Sequence, residues 1–576
     1  MAADSAHLFP PPPGDLPLSE RGQQFEELLR SKIVLLDGAQ GTYLQGCDLT
    51  AEDFGGPDLE GCNEYLVVTR PEIVKGMHRA YFEAGSDMVG SDTFGSTPLV
   101  LGEYGLQDRA EEISETAARL AREVAAEFGP DRFVAGSMGP TTKAISVTGG
   151  ITFDELSETY RVQALGLLKG GADTLLLETS QDTRNVKAGV LGIWAAFREL
   201  GFRVPLMLSG TIEPMGTMLA GQGVDAFYTS VEHAGMTTIG LNCATGPEFM
   251  TDHIRTLSEM ARSFVSCYPN AGLPDELGNY SETPTMMAET LGRFAASGWL
   301  NLVGGCCGTT PDYIHAIGEA ARAGKPRPIP SGRLLTHVSG IDYLECEEAN
   351  RPLLIGERTN VTGSRKFKRL VESESFEEGA EIARAQVRAG AQLIDVNLAS
   401  TEREEAADME SFLAIATKLV KVPFVIDSTD AAVIARALPW CQGKSVINSI
   451  NLEDGEKRFE AVAPQAHQYG AALVVGCIDE KGQAITTEDK VRVAERSYQL
   501  LTEKYGVKPE DIIWDSLVFP AATGDENYRA SAPHTINAVA ELKKHFPGTR
   551  TVLGISNVSF GLPEAGREVL NSVYLY

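Results

Sequence analysis

Phe153-Asp154-Glu155-Leu156-Ser157-Glu158-Thr159-Tyr160-Arg161-Val162-Gln163-Ala164-Leu165-Gly166-Leu167-Leu168-Lys169-Gly170 is an amphipathic stretch of helical period. Shortly after it comes Thr174-Leu175-Leu176-Leu177-Glu178-Thr179, a short apolar run that closes on polar residues. A helical pattern leading into a short buried run is the unit of a parallel sheet, because parallel neighbours need a crossover between them. Working outward, the first half offers eight such runs: Ile33–Leu36, Met88–Gly90, Phe133–Ala135, Thr174–Leu177, Pro205–Leu208, Thr238–Leu241, Phe264–Ser266 and Leu302–Val303. Helical patterns between them include Pro71–Glu83, Arg109–Phe128 and Pro284–Ser297. Eight strand-helix units predict a closed barrel with its chemistry on the loops after the strands. The rival, an open doubly wound sheet, lacks its G-x-G-x-x-G signature in the first turn.

The second half repeats the pattern with seven runs: Leu353–Ile355, Leu393–Val396, Phe424–Ile426, Val446–Ile447, Ala472–Val475, Ile512–Trp514 and Val552–Ile555. The fold class read from this is α/β, two tandem (β/α)8 TIM-type barrels, the second truncated before its last strand. The Pro-rich break at Lys325–Gly332 sets the boundary. The expected organisation is a flexible tail over 1–20, a first barrel over 21–325, a linker over 326–350 and a second barrel over 351–576.

Composition narrows the function classes. Of 576 residues, 43% are apolar and 22% charged, as in ordinary soluble globular proteins. A formal net charge of −29 repels nucleic acid and anionic membrane surfaces, so neither is expected as a partner. Nine cysteines, an odd number in a long chain, do not form a secreted disulfide framework. With no signal-peptide pattern and no spanning apolar run, the expectation is a cytoplasmic chain with reduced thiols.

Two of the predicted strands end in thiols. Leu241-Asn242-Cys243-Ala244 closes the sixth, and Val303-Gly304-Gly305-Cys306-Cys307-Gly308-Thr309 closes the eighth. Both ends open onto one face of a barrel, so Cys243, Cys306 and Cys307 can converge. Catalytic zinc takes three protein ligands and keeps one position open, which suits a substrate that brings its own thiol. A lone cysteine is more often a small buried hydrophobe, the reading given to Cys267, Cys346, Cys441 and Cys477. Adjacent cysteines flanked by glycines differ, because glycine lets backbone approach a metal closely.

The second half places Glu357, Asn360, Asp395, Asn397, Asp427, Asn448, Asp515 and Asn557 at successive strand ends. One Asp or Asn after a strand is usually a turn or cap. Several around one barrel mouth make a polar cup able to pair with the donor-acceptor edge of a pterin ring.

These residues carry a resemblance. Asn242-Cys243 followed by Gly304-Gly305-Cys306-Cys307-Gly308, with Asp37-Gly38-Ala39-Gln40-Gly41-Thr42, Gly61-Cys62-Asn63-Glu64 and Glu178-Thr179, resembles the homocysteine methyltransferase family. The resemblance implies zinc on the three cysteines. It also implies that Asp37, with Gly38, and Glu178 hold the homocysteine amino group, and that backbone near Ser137 and Met138 receives its carboxylate. Ser91-Asp92-Thr93-Phe94 departs from the family's Thr-Asn-Thr-Phe-like run by placing a carboxylate where an amide is usual. Gly356-Glu357-Arg358-Thr359-Asn360, Asp395-Val396-Asn397, Asp427-Ser428-Thr429, Ile447-Asn448-Ser449 and Gly554-Ile555-Ser556-Asn557 resemble the pterin-binding barrels of folate-dependent methyltransferases. That resemblance implies a catalytic role for Asn557 beside the methyl-bearing nitrogen, with Asp515, and a contact from Arg567 to the ring or tail.

In this order the two matches resemble the N-terminal barrels of the cobalamin-dependent methionine synthase family. The implied reaction is methyl transfer from 5-methyltetrahydrofolate, by way of cobalamin, to homocysteine. No Asp-x-His-x-x-Gly cobalamin-ligating run is present, so cobalamin is expected from downstream cobalamin-binding and reactivation domains or added free. The alternative is a cobalamin-independent homocysteine S-methyltransferase with another methyl donor, its second barrel a pterin-binding module.

Overall fold

In the computed structural model, which describes residues 12–276, 278–331, 335–521 and 523–576, the described residues fall into two compact units, 12–331 and 335–576. The strands of the first are β1 (Val34–Leu35), β2 (Met88–Gly90), β3 (Phe133–Met138), β4 (Thr174–Ser180), β5 (Leu206–Gly210), β6 (Thr238–Asn242), β7 (Phe264–Tyr268) and β8 (Leu302–Val303). All are parallel, in the order β1-β8-β7-β6-β5-β4-β3-β2. Val34 pairs with Leu302, and an isolated parallel bridge joins Leu36 to Met88, so β1 meets both neighbours and the barrel closes. Helices cover the outside and side chains fill the inside, which is why these strands read as unbroken apolar runs.

The stretch that opened the sequence reading forms the helix Phe153–Lys169, started by a capping box between Thr152 and Glu155. It lies close against the helix Ala110–Glu127: a Cβ on Gly166 would come within 2.3 Å of Glu111 O, and one on Gly170 within 2.3 Å of Glu115 O. Glycine is required there by the approach of the two backbones.

An element the strand count did not include closes the floor. The helix Glu20–Ser31 buries Phe25 and Leu29 completely in one cluster with Val34, Phe133, Met207, Phe264 and Leu302. The Phe25 and Phe133 rings stand 5.4 Å apart. Ahead of that helix, Ser19 N donates to Arg203 O at 2.9 Å and Arg203 N to Pro17 O at 3.0 Å. The rest of the Pro-rich N-terminal run, residues 1–11, lies outside the described residues.

The second unit begins with the antiparallel pair β9 (His337–Ser339) and β10 (Tyr343–Glu345). A parallel sheet follows of β11 (Ile355–Asn360), β12 (Leu393–Asn397), β13 (Phe424–Asp427), β14 (Val446–Ile450) and β15 (Ala472–Gly476). A small ribbon, β16 (Ile478–Asp479) with β17 (Gly482–Gln483), precedes its last two strands, β18 (Ile512–Asp515) and β19 (Arg550–Val552). The order β11-β12-β13-β14-β15-β18-β19 is that of seven consecutive staves of a barrel. Val338 of the first pair is buried among Leu393, Val425, Val446 and Ala472, so β9 and β10 close this floor as the helix closes the other. Two expected strands shift. β11 starts at the end of Leu353–Ile355 and runs on through Glu357, and β19 ends at Val552, with Ile555–Ser559 a 3-10 turn. Among the described residues, no helix is long and apolar enough to cross a membrane.

Candidate functional sites

The thiols reach one another across the mouth of the first barrel. Cys243 follows β6, Cys306 and Cys307 follow β8, and the three sulfurs lie within 4.8 Å of one another. Cys243 Sγ and Cys307 Sγ are 3.8 Å apart. The backbone is shaped for this: Cys243 and Ala244 both have φ 58, a left-handed conformation that costs non-glycine residues energy and clusters at functional sites. Gly304 and Gly305 let the second thiol loop press on β1. A Cβ on Gly304 would sit 2.9 Å from Leu36 Cβ, and Gly305 N donates to Asp37 O at 3.1 Å. Gly308, at φ +81, leaves room for the Tyr280 ring, which a Cβ would meet at 2.4 Å.

Electrostatically the cluster invites a cation. Hydrogen bonds from the Cys243 and Cys306 thiols, with Tyr280 adding, drive the Cys307 thiol down to about 3. Hydrogen bonds with Cys243 and Cys307, and then burial, hold Cys306 well above the ordinary thiol range. A divalent ion would remove the competition for one negative charge by allowing every sulfur to ionise.

Glu178 lies within the field of this cluster, and Asp37 within that of Glu178. Asp37, just past β1, is pushed up to about 8, first by burial and also by the charge of Glu178. Gly90 N donates to its Oδ2 at 2.9 Å, and Gln40 Nε2 stands 3.4 Å away. Glu178, in β4, is raised to about 7 by burial and by the Cys307 thiolate, although Ser137 Oγ donates to it at 2.5 Å. Two buried carboxyls that ionise reluctantly gain most from an arriving ammonium. Ser137 N is already engaged with Ser91 Oγ at 3.1 Å, and Met138 is buried at the end of β3. A Cβ on Gly38 would lie 2.9 Å from both Thr309 Oγ1 and the Tyr81 ring, so the chain turns tightly under Asp37. Asp92 is buried, its Oδ2 without a hydrogen-bond partner, and burial with the charge of Glu64 keeps it protonated far above the carboxylate range.

In the second unit the strand register sets the polar residues in tiers. Asn360 pairs with Asn397, Asp427 with Asn448, and Asp515 with both Gly476 and Val552. Asn360 Nδ2 donates to Asp395 Oδ2 at 2.9 Å and lies 3.1 Å from Asp427 Oδ2, clamping two acids together. Burial, then the charges of Asp427 and Glu357, raises Asp395 to about 7, and burial, then the charges of Glu357 and Glu405, raises Asp427 to about 6. In the same unit a cavity of about 410 Å3 is lined by Asp515, Leu517, Phe519, Tyr528, Asn557 and Phe560 among others. Phe519 and Tyr528 stack at 4.9 Å with planes 10° apart. Arg567 is not in this lining; it is exposed on the helix Glu564–Leu575.

Three contributors escaped the sequence reading. Asn270, past β7, accepts from Cys307 N at 3.1 Å; its place at a strand end, like that of Asn242, was the available signal. Tyr280 sits in a loop without periodicity, and nothing in the sequence marks it. Lys490, wholly buried in the helix Thr487–Gln499, donates to Ser516 O, Leu517 O (3.1 Å) and Thr535 Oγ1 (2.7 Å) and lies 5.3 Å from the Phe519 ring centre. It steadies the cavity wall, where Leu517 has φ 59. An amphipathic helix hides such a lysine among its solvated ones.

A barrel that gathers three thiols over two reluctant carboxyls is built to alkylate a thiol, and the class it defines is a methyltransferase. Residues 34–321, half of the chain, match the homocysteine S-methyltransferase family, and the chain belongs to that family. Residues 356–576 match the pterin binding enzyme family. Among solved structures, the homocysteine methyltransferase MmuM from Escherichia coli in its oxidized form is 22% identical, with 52% of this chain and 99% of that one covered and a TM-score of 0.44. Its metallated form is 23% identical over 51% and 99%, with a TM-score of 0.43. Yersinia pestis DHPS with a pterine-sulfa conjugate is 17% identical over 42% and 90%, with a TM-score of 0.30.

Proposed function

We propose that this chain holds the two substrates of cobalamin-dependent methionine formation, homocysteine on the first unit and 5-methyltetrahydrofolate on the second. Cobalamin, added free or held by a cobalamin-binding domain, is the methyl carrier. The observation that carries the reading is the meeting of three sulfurs within 4.8 Å at the mouth that also holds Asp37 and Glu178.

Cys243, Cys306 and Cys307 are the zinc ligands; an all-sulfur set of three is a donor set zinc accepts. Zinc, when bound, lowers the pKa of a coordinated thiol so that a nucleophilic thiolate exists at neutral pH. Asp37 and Glu178 receive the substrate ammonium, Ser137 orients Glu178, and backbone at Met138 takes the carboxylate. On the second unit Asp395, Asp427, Asn360, Asn397 and Asn448 pair with the pterin edge, with Glu357 adding negative charge. Asn557 and Asp515 stand in the cavity wall where the methyl-bearing nitrogen would lie, and Asn557 favours its protonated form, from which the methyl leaves more readily. Arg567, exposed and outside the cavity lining, takes no contact with the ring in this arrangement.

The test is the zinc content of the purified, reduced chain beside the Cys306→Ala, Cys307→Ala double variant, followed by methyl donors offered to homocysteine. About one zinc per chain, lost in the variant, with methylated cobalamin as a competent donor, supports the reading. Zinc with turnover only from a cobalamin-free donor favours the cobalamin-independent alternative. A folded chain without zinc removes thiol activation altogether.

A further inference from the structure

Two cations of the second unit are taken out of water without an acid to pair with. Lys490 is wholly buried, and Arg458, in the first turn of the helix Lys457–Tyr469, is half-buried. Burial drives the Lys490 ammonium down to about 8, against the pull of Cys477 and Asp515, and lowers Arg458 although Asp430 opposes it. Neither forms an ion pair among the described residues; their donors go chiefly to backbone carbonyls. A charge held in such a place is costly and needs a reason.

The reason lies in where those carbonyls stand. Arg458 Nη1 donates to Thr429 O at 2.7 Å and Nη2 to Ser428 O at 2.6 Å, the two residues after Asp427. Nε and Nη2 also reach Ser449 O at 3.3 Å, just after Asn448, where β14 leaves its regular register with β15. One planar fork therefore joins the ends of β13 and β14, the strands on which Asp427 and Asn448 pair. Lys490 repeats this at β18. Its ammonium holds Ser516 O and Leu517 O, the two residues after Asp515, and ties them to Thr535 Oγ1 on the helix Ser531–His545. Leu517 N in turn donates to Asp515 Oδ1 at 2.9 Å, so the carboxylate and the strained turn at Leu517 are fixed together.

We infer that Arg458 and Lys490 are positioning residues for the pterin ring. Through the carbonyls that follow Asp427, Asn448 and Asp515, they set the spacing at which those side chains meet the ring. This rests on the pterin reading of the second unit and deepens it, and neither cation is among the groups that touch the ring in that reading. A rigid fork spanning two strand ends fixes a distance that two separate loops would leave to fluctuate. Recognition of a donor-acceptor edge depends on such distances to within about 0.5 Å.

The experiment titrates the full chain with 5-methyltetrahydrofolate and with its 2-desamino analogue, which lacks one donor of the ring edge. The neutral variants are Arg458→Gln and Lys490→Met, beside Arg458→Lys and Lys490→Arg, which keep the charge. The wild type should prefer the amino form. Each neutral variant should bind that form about 10- to 100-fold more weakly, the scale of a misplaced binding group, and lose most of the preference. Lys490→Arg should recover part of both; Arg458→Lys, whose point charge cannot span two strand ends, should recover less. A folded neutral variant that keeps the wild-type preference overturns the proposal, whether its affinity for both ligands is intact or equally reduced, because an equal loss reports stability rather than spacing. Where a neutral variant fails to fold, its charge-keeping counterpart decides: its preference must fall below that of the wild type, and an unchanged one overturns the proposal. A wild type that binds both ligands alike also overturns it, with the pterin reading left standing. If the wild type binds neither ligand, the pterin reading itself fails.

Discussion

Four contacts converge on the Asn242 amide. Its Oδ1 accepts from Thr179 N at 3.0 Å and Ser209 Oγ at 2.7 Å, while its Nδ2 donates to Thr179 Oγ1 at 2.8 Å and reaches Cys306 Sγ at 3.8 Å. Thr179, a β-branched residue at φ 58, is held in a costly conformation by these bonds. Asn242→Ala should therefore weaken zinc affinity roughly 10- to 100-fold, the usual cost of losing a group that orients a ligand. Competition with a chromogenic chelator measures it, and unchanged affinity would count against the role. The acid pair of the second unit gives a pH prediction. Asp395 and Asp427 titrate near 7 and 6 when folded, above the ~3.9 of an unfolded Asp, so folding takes up protons between those values. Their contribution to stability is most favourable below about pH 4 and is lost as pH rises through 6 to 7. A pterin that donates hydrogen bonds to the ionised acids reverses this, so its affinity should rise from pH 5.5 to 7.5. Asp395→Asn should flatten that rise.

At the scale of elements, the floors matter as much as the mouths. Phe25 is fully buried in the first barrel's core cluster, and Phe25→Ala should cost about 3–5 kcal/mol, seen as a lower urea midpoint with zinc content unchanged in the folded protein. That floor was poorly legible in the sequence. The helix Glu20–Ser31 reads as one more amphipathic helix, and nothing in its period says that it plugs a barrel end. The β9–β10 pair is short and mostly half-buried, so it gives no alternation to read. The barrel strands were legible because burial on both faces makes them apolar throughout. The strands that shifted, β11 and β19, are the two outermost of their sheet. With a partner on one side only, β11 tolerates exposed Glu357 and Arg358, and the apolar signal ends before the strand does. The thiol cluster was readable from strand ends plus glycines; Tyr280 and Lys490 were not, since neither position is dictated by period or by strand end.

For the whole molecule, each unit has its own core and its own floor. A ligand stabilises the body that binds it, by mass action. Two thermal transitions are expected. Chelating zinc should lower the one belonging to residues 12–331, and adding 5-methyltetrahydrofolate should raise the one belonging to residues 335–576. A scan that resolves the two, or amide exchange mapped to each unit, checks this; one transition moved by both ligands would refute it.

The contact of Gly305 N with Asp37 O ties the cysteine loop to the strand that carries the acid. With so little slack between them, a pocket that holds the ammonium at Asp37 and the sulfur at the cysteines, as proposed, would gauge the length of an amino thiol. In that reading cysteine, one methylene shorter than homocysteine, would seat its sulfur or its ammonium but not both. A buried methylene is worth about 0.8 kcal/mol, and the unmet charge adds to the penalty. Cysteine should thus enter as a weak competitor that accepts no methyl group, and this selection by length would need no residue that touches the missing carbon.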